Sequence, residues 1–193
     1  MAGRYPMLKD PDYYLGCIAP DAVYSRNKDV MLNKVVSHIM SSVRYWEKNV
    51  MLSFKQIPKP TLFELGYYMH IITDIRFRLI MKQYYDNNKV SKGKRAYYDS
   101  LIIPLCLRRL FYDEQEYMNC LSFTKLYKVD KFPFTITKAD IENNFIYAEH
   151  IFDIKKVSVD EEALDIPLPD YKAMCDEVIV YLQKQFHLQL STI

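Results

Sequence analysis

His70 and Asp74 stand four residues apart in GYYMHIITDI, one of the most apolar stretches of the chain. Residues at positions i and i+4 of a helix share one face, so this imidazole and carboxylate would project together. An aspartate in apolar surroundings needs a cation, several hydrogen-bond donors or a proton, because burying an unpaired carboxylate is strongly unfavourable. A metal ion meets that need, since both groups are standard ligands. A His–Asp hydrogen bond, or a pair facing solvent, explains the spacing equally well.

Two earlier residues extend this candidate metal site. Asp21 follows Pro20 at a turn before the first predicted helix, and His38 lies inside that helix beside its apolar stripe. With His70 and Asp74 they offer two imidazoles and two carboxylates. Such a set suits zinc, with iron, manganese or nickel as alternatives, and leaves coordination positions for water. Taken singly, Asp21 is also typical of a turn or cap, and His38 of a histidine at the edge of a core.

The element that carries the HxxxD pair is a long helix, predicted over residues 61–85. Its sequence is apolar almost all round between Leu62 and Ile75, which is typical of a helix in the middle of a bundle. Gly66 lies one turn before His70. A glycine inside a helix costs about 1 kcal/mol relative to alanine. We therefore expect another helix or a ligand to approach closely at Gly66.

The rest of the chain also favours helices. Apolar periodicity and N-cap signals predict them over 29–45, 95–118, 137–152 and 170–187. Pro104 should kink or divide the second of these. Residues 1–28 are expected to form a loop or extended entry, and residues 119–136 an irregular segment or short strands. The predicted fold class is all-α, a bundle of five to six helices in a single domain over residues 1–193.

Composition limits the possible classes of function. The chain has 193 residues, of which 50% are hydrophobic, enough for one sizeable core. A net charge of +2 gives no nucleic-acid signal. No apolar run reaches the roughly 20 residues of a membrane span, and the N-terminus lacks a signal-peptide pattern. Four scattered cysteines without a CxxC pair make a cysteine zinc site unexpected. We expect a cytoplasmic protein; its oligomeric state cannot be inferred from the sequence.

The order of the motifs resembles the zinc-dependent phospholipase C family, which shares its all-α fold with P1-type nucleases. Over residues 15–80 the chain has Gly-x-x-Ala-Pro-Asp, then Ser-His in a helix, then Gly-x-x-x-His-x-x-x-Asp. The resemblance implies a metal held by Asp21, His38, His70 and Asp74. It also implies a metal-activated water that attacks a phosphomonoester or phosphodiester, from a small-molecule or lipid substrate. Asp21 or Asp74 is the expected catalytic acceptor of the water's proton.

The chain departs from the three-metal enzymes of that family. They also use an N-terminal tryptophan, an early histidine and a later His…HxxxE set, whereas this chain has its only tryptophan at 46 and no histidine before 38. His150 and His187 are not followed by a carboxylate four residues on, so we expect one metal. The alternative is a non-catalytic interaction or structural protein with a structural or vestigial metal site. His150 and Asp99 are weaker ligand candidates, and the basic loop 89–95 is a weaker phosphate site.

Other hydrolase signatures are absent from the sequence. Helical HD-type phosphohydrolases need adjacent His-Asp, but each of the four histidines is followed by isoleucine or leucine. HExxH, the Gly-rich phosphate loop and the GxSxG elbow do not occur either. The phospholipase C resemblance is therefore the hypothesis that the motifs favour.

Overall fold

Eight α-helices form the described part of the protein. The computed structural model describes residues 10–26, 30–110, 114–149 and 165–186. The helices are α1 Pro11–Ile18, α2 Val30–Ser37, α3 Trp46–Lys55, α4 Leu62–Asn87, α5 Arg95–Leu110, α6 Glu114–Thr124, α7 Lys138–Glu149 and α8 Tyr171–Gln185, with short 3-10 helices at Ala19–Ser25 and Lys92–Lys94. These ranges contain no strand. The all-α prediction is confirmed, but more helices are present than the five to six expected.

Three helices add to those predicted: α1, α3, and one from the division of the helix expected over 95–118. The expected loop within residues 1–28 is instead α1 and a 3-10 helix, because Asp10 caps the start of α1 and Pro11 occupies its first position. The Asp10 carboxylate accepts the Asp12 N–H at 2.8 Å, and proline is well tolerated at this helix position. The helix predicted over 95–118 is two helices, and α5 continues past Pro104 to Leu110.

Helix α4 lies at the centre of the fold, as its apolar sequence predicts. Thr61 begins it with a capping box: Glu64 accepts the Thr61 N–H at 2.8 Å, and Thr61 Oγ1 accepts the Glu64 N–H at 3.2 Å. Both faces of its first half are buried, from Phe63 through Ile75. The main core surrounds this half of α4, and a smaller cluster packs around Tyr85 at the other end of the helix.

Helix α1 crosses α4 at a pair of glycines. A Cβ atom added at Gly66 would lie 2.2 Å from the Tyr13 carbonyl oxygen, and one added at Gly16 would lie 2.1 Å from the Phe63 carbonyl oxygen. Neither glycine therefore has room for a side chain. The close approach expected at Gly66 is made by another helix, and it brings the chain that follows α1 against the His70 face of α4.

Helix α2 is shorter than predicted and faces another way. It ends at Ser37 rather than near residue 45, because Ile39 takes a left-handed backbone conformation with φ 52°. The apolar stripe expected to face the core is exposed, with Leu32 at 64%. Hydrogen bonds fix the C-terminal end of α2: Ser37 Oγ donates to the Pro20 carbonyl at 2.9 Å, and Trp46 Nε1 donates to the His38 carbonyl at 2.8 Å.

The remaining sequence predictions hold with shifted ends. Helices α7 and α8 correspond to the predictions over 137–152 and 170–187, and Thr137 forms the expected capping contacts with Asp140. Residues 125–137 are irregular, as expected, although α6 extends to Thr124. Among the described helices, none combines the length and the apolar composition needed to cross a bilayer.

Candidate metal centre

The four predicted metal ligands converge at one place in the structure. His38 Nε2 lies 3.2 Å from Asp21 Oδ1 and 3.5 Å from Asp74 Oδ2. His70 Nε2 lies 3.7 Å from Asp21 Oδ2 and 3.8 Å from Asp74 Oδ2. Zinc–ligand bonds of 2.0–2.1 Å in a tetrahedron place ligand atoms about 3.4 Å apart. Asp21, His38 and His70 each offer a ligand atom within 4.8 Å of the others, which suits one ion held between them, and Asp74 Oδ2 lies beside both histidine nitrogens.

Three segments of the fold supply these side chains. Asp21 lies in the first turn of the 3-10 helix after α1, His38 directly follows α2, and His70 and Asp74 lie one turn apart on α4. The crossing of α1 over α4 places the 3-10 helix beside His70. The left-handed residue Ile39 then turns the chain immediately after His38. The site therefore depends on contacts between segments distant in sequence.

Hydrogen bonds orient both histidine rings toward the centre. His70 Nδ1 lies 2.7 Å from the Cys17 carbonyl oxygen, which can only accept, so Nδ1 carries the proton. Ser37 Oγ donates to the Pro20 carbonyl and therefore accepts from His38 Nδ1, 3.0 Å away. Each ring thus points its Nε2 atom into the site. Metal-binding histidines are commonly held in this way by a partner on the other ring nitrogen.

The facing atoms lack hydrogen-bond partners. Asp21 Oδ1, His38 Nε2 and His70 Nε2 are buried, and none makes a hydrogen bond within the described ranges. Leaving a buried polar atom unsatisfied costs about 1–3 kcal/mol. Ligand atoms of these three residues all lie within 4.8 Å of one another. A divalent cation would satisfy all three at once, so the donor set fits a metal ion.

Charges in the site favour a bound cation. Burial raises the pKa of the Asp21 carboxyl, but His38 and His70 lower it by more, so the net pKa lies below its ordinary value. Burial lowers the pKa of His38, but the Asp21 and Asp74 carboxylates raise it by more. Both carboxylates therefore attract positive charge to the same point. A metal ion and a proton on His38 would compete for that position.

The site lies at the edge of the core, which corrects the burial expected for the HxxxD pair. His38 is completely buried, His70 retains 15% side-chain exposure, and Asp74 retains 36%. Helix α4 is buried all round only in its first half, and residues from Arg76 onward are more exposed. Asp74 is therefore reached by solvent, as a site that exchanges water or substrate requires.

A cavity of about 580 Å³ opens beside the candidate metal site. Its walls combine two of the site residues with aromatic and apolar side chains: Cys17, Ile18, Asp21, Tyr24, His70, Tyr117, Asn144, Tyr147 and Ala148. Its volume lies within the range of about 300–1,000 Å³ typical of small-molecule sites. The other wall residues were not predicted. Tyr24 follows Asp21 by one turn, but nothing in the local sequence marks the residues from α6 and α7.

Those weaker candidates that lie within the described residues add no ligand to the site. Asp99 accepts a hydrogen bond from Tyr85 at 2.6 Å in the smaller cluster, so the structure does not bring it to the four candidate ligands. Arg95, in the basic loop, lies 2.5 Å from Asp86. His150 and His187 lie outside the described residues.

Comparison with known families agrees with this geometry. The family model described as zinc dependent phospholipase C matches residues 4–77. The matched range contains all four candidate ligands and spans less than half of the chain, so the similarity to this family belongs to the part that holds the candidate site. The resemblance found in the sequence motifs is thereby confirmed. No curated protein and no solved structure matches the chain.

Proposed function

We propose that this protein is a metal-dependent phosphoester hydrolase with one zinc ion held by Asp21, His38, His70 and Asp74. The observation that supports this function most is the group of three buried potential ligand atoms that lack hydrogen-bond partners and face one point beside a cavity. The zinc dependence named for the matching family supports the choice of metal. Iron, manganese and nickel remain alternatives, since the same nitrogen and oxygen ligands accept them.

The protein's own groups would divide the work of hydrolysis. A bound zinc ion would supply Lewis acidity, lowering the pKa of a water molecule and polarising a phosphoryl oxygen. His38 and His70 would present fixed Nε2 lone pairs, because Ser37 and the Cys17 carbonyl hold their other ring nitrogens. The rigid setting of both rings reduces the reorganisation needed during reaction.

Asp21 is the better placed of the two candidate proton acceptors. Its side chain is 40% exposed and forms part of the cavity wall, whereas Asp74 is not among the wall residues. A general base must reach the attacking water from within the substrate cavity. Asp21 would therefore accept the water's proton, and Asp74 would act mainly as a ligand and a counter-charge.

The cavity favours a phosphoester with an apolar portion. Tyr24, Tyr117 and Tyr147 line it together with Ile18 and Ala148. Aromatic and aliphatic walls stabilise an apolar group by removing its surface from water. A lipid phosphoester or a small aromatic phosphoester fits this lining.

A structural role for the metal is the second candidate function. Within the described residues, the one cluster of potential ligands is that of Asp21, His38 and His70, and the sequence lacks the HxxxE motif for further metals. A single site that only ties α2 and α4 together would stabilise the fold without turnover. The two functions predict the same metal content but differ in hydrolysis.

Hydrolysis assays separate these two functions. Metal-free protein, zinc-loaded protein and zinc-loaded protein with chelator would be given p-nitrophenyl phosphate, bis-p-nitrophenyl phosphate and p-nitrophenylphosphorylcholine. Zinc should restore hydrolysis of at least one substrate, and Asp21→Asn should lower kcat by at least about 100-fold. Asp176→Asn, which alters an exposed carboxylate paired with Lys172, is the matched control. Bound zinc with no hydrolysis would favour the structural role, and chelator-resistant hydrolysis would contradict both.

A further inference from the structure

Lys34 lies on α2, one turn before His38, and contacts one wall residue of the cavity, Tyr24. Its ammonium group donates a hydrogen bond to the Tyr24 hydroxyl and lies 4.7 Å from the centroid of the Tyr24 ring. Tyr24 in turn lines the cavity together with Asp21 and His70. The lysine is thus anchored by a wall residue of the same cavity that borders the metal ligands.

The ammonium group is available to bind an anion. Lysine has three N–H donors, and the Tyr24 hydroxyl occupies one. No carboxylate in the described ranges forms an ion pair with Lys34 within 4.0 Å. Burial lowers the pKa of Lys34, but the Tyr24 hydroxyl and the carboxylates of Asp21 and Asp74 raise it by more. Lys34 therefore stays protonated beside the site.

The net charge of the site with a metal ion bound depends on Lys34. Two carboxylates and one divalent cation cancel, so an occupied site without Lys34 would be neutral toward a phosphate group. Lys34 leaves a net positive charge on the side where Tyr24 meets the cavity. An ammonium group is a common partner of phosphate oxygens, and charge-assisted hydrogen bonds are about twice as strong as neutral ones.

We propose that Lys34, positioned by Tyr24, binds a non-bridging phosphoryl oxygen of the substrate, an inference that rests on the hydrolase function proposed above. In a site with one metal, this lysine supplies the positive charge that neutralises the rest of the phosphoryl group. Tyr24 has two roles: its hydroxyl fixes the ammonium group, and its ring forms part of the cavity wall.

The test compares Lys34→Met, Lys34→Arg and Tyr24→Phe with the parent protein, each loaded with zinc. Inorganic phosphate is the probe, titrated by calorimetry, so the main readout does not require turnover. Lys34→Met should raise the Kd for phosphate at least about tenfold, and Lys34→Arg should recover most of that loss. Tyr24→Phe should weaken phosphate binding by a smaller factor. Lys172→Met, at a lysine 84% exposed, should leave binding unchanged.

Zinc affinity distinguishes phosphate binding from a structural brace. Removing a positive charge near the cation should leave zinc binding unchanged or slightly tighter. If Lys34 only braced α2 against the 3-10 helix, Lys34→Met would weaken zinc binding and lower the melting temperature. Lys34→Gln replaces Lys34→Met in every comparison if the methionine variant does not fold.

The outcomes also separate this inference from the proposed function. Phosphate binding that depends on Lys34 in a protein without hydrolysis would support the inference and contradict the hydrolase. Hydrolysis in which Lys34→Met changes neither the Kd for phosphate nor KM would overturn the inference and leave the hydrolase intact. Weaker zinc binding in Lys34→Met, or a parent protein with zinc but no affinity for phosphate, would also overturn the inference.

Discussion

Replacing Gly66 by alanine tests the helix crossing that positions the site. The new Cβ atom would lie 2.2 Å from the Tyr13 carbonyl oxygen, 3.0 Å from the Cys17 nitrogen and 3.2 Å from the Gly16 Cα. Favourable contacts between non-bonded carbon atoms lie at about 3.5–4.0 Å. All three neighbours are backbone atoms, so a change of rotamer cannot relieve the overlap. Helix α1 must move away from α4 by about 1 Å or more.

The expected change in the free energy of unfolding of Gly66→Ala is the difference between two opposing effects. Alanine improves helix propensity over glycine by about 1 kcal/mol. Overpacking costs about 1–3 kcal/mol, and the upper end applies when backbone must move. The expected net loss is about 2 kcal/mol in the free energy of unfolding. At 2–4 °C per kcal/mol for a chain of this length, the melting temperature should fall by about 4–8 °C.

The same displacement should weaken zinc binding, because the Cys17 carbonyl on α1 holds His70 Nδ1. Urea unfolding and zinc titration of Gly66→Ala measure the two effects. Gly93→Ala is the matched control, since a Cβ atom there meets nothing within 4 Å and its φ is not positive. A Gly66→Ala protein as stable as the parent, with unchanged zinc affinity, would refute the described crossing.

Three further predictions concern the metal, the fold and acid stability. Bound zinc should stabilise the parent protein by about 2.7 kcal/mol at a hundredfold excess over Kd, and Asp74→Asn should reduce this gain. Thermal unfolding with and without chelator measures it. A higher melting temperature for Asp74→Asn, with no chelator response in either protein, would contradict zinc ligation. Far-ultraviolet circular dichroism should show dominant helix, and a β-type spectrum would contradict the fold. Arg26 holds the pKa of Asp140 down to about 2, below the ordinary value of about 3.9, so this stabilisation is present above about pH 4 and lost as the pH falls through 2. Urea unfolding at pH 7 and pH 2.5 should show that loss, and Arg26→Met should reduce it; an unchanged pH dependence in the variant would contradict the assignment.

Local signals predicted the parts of the fold that local contacts determine. The start of α4 follows from Thr61 and Glu64, and its burial follows from apolar residues on every side. Helix α1 was not predicted, although Pro11 suits a first helical position. The exposed stripe of α2 shows a different limit: apolar periodicity indicates a helix, but which face packs depends on distant segments.

The candidate site likewise has parts that the sequence predicts and parts that depend on tertiary packing. The i,i+4 spacing of His70 and Asp74 could be recognised from sequence, and the motif order brought Asp21 and His38 into the same set. The tyrosine walls could not be found, because α6 and α7 reach the cavity only through tertiary packing. The role of Lys34 likewise depends on its contact with Tyr24. The single-domain organisation and cytoplasmic location stay predictions.

Zinc titration of the metal-free protein tests the proposed metal centre most directly. Calorimetry, with elemental analysis of the loaded protein, should give close to one zinc per chain. His38→Gln removes an Nε2 lone pair from the fully buried position and should abolish tight binding, while Asp176→Asn should bind as the parent does. A parent protein that takes up no zinc, or a His38→Gln protein that binds it equally tightly, would contradict a metal centre formed by Asp21, His38, His70 and Asp74.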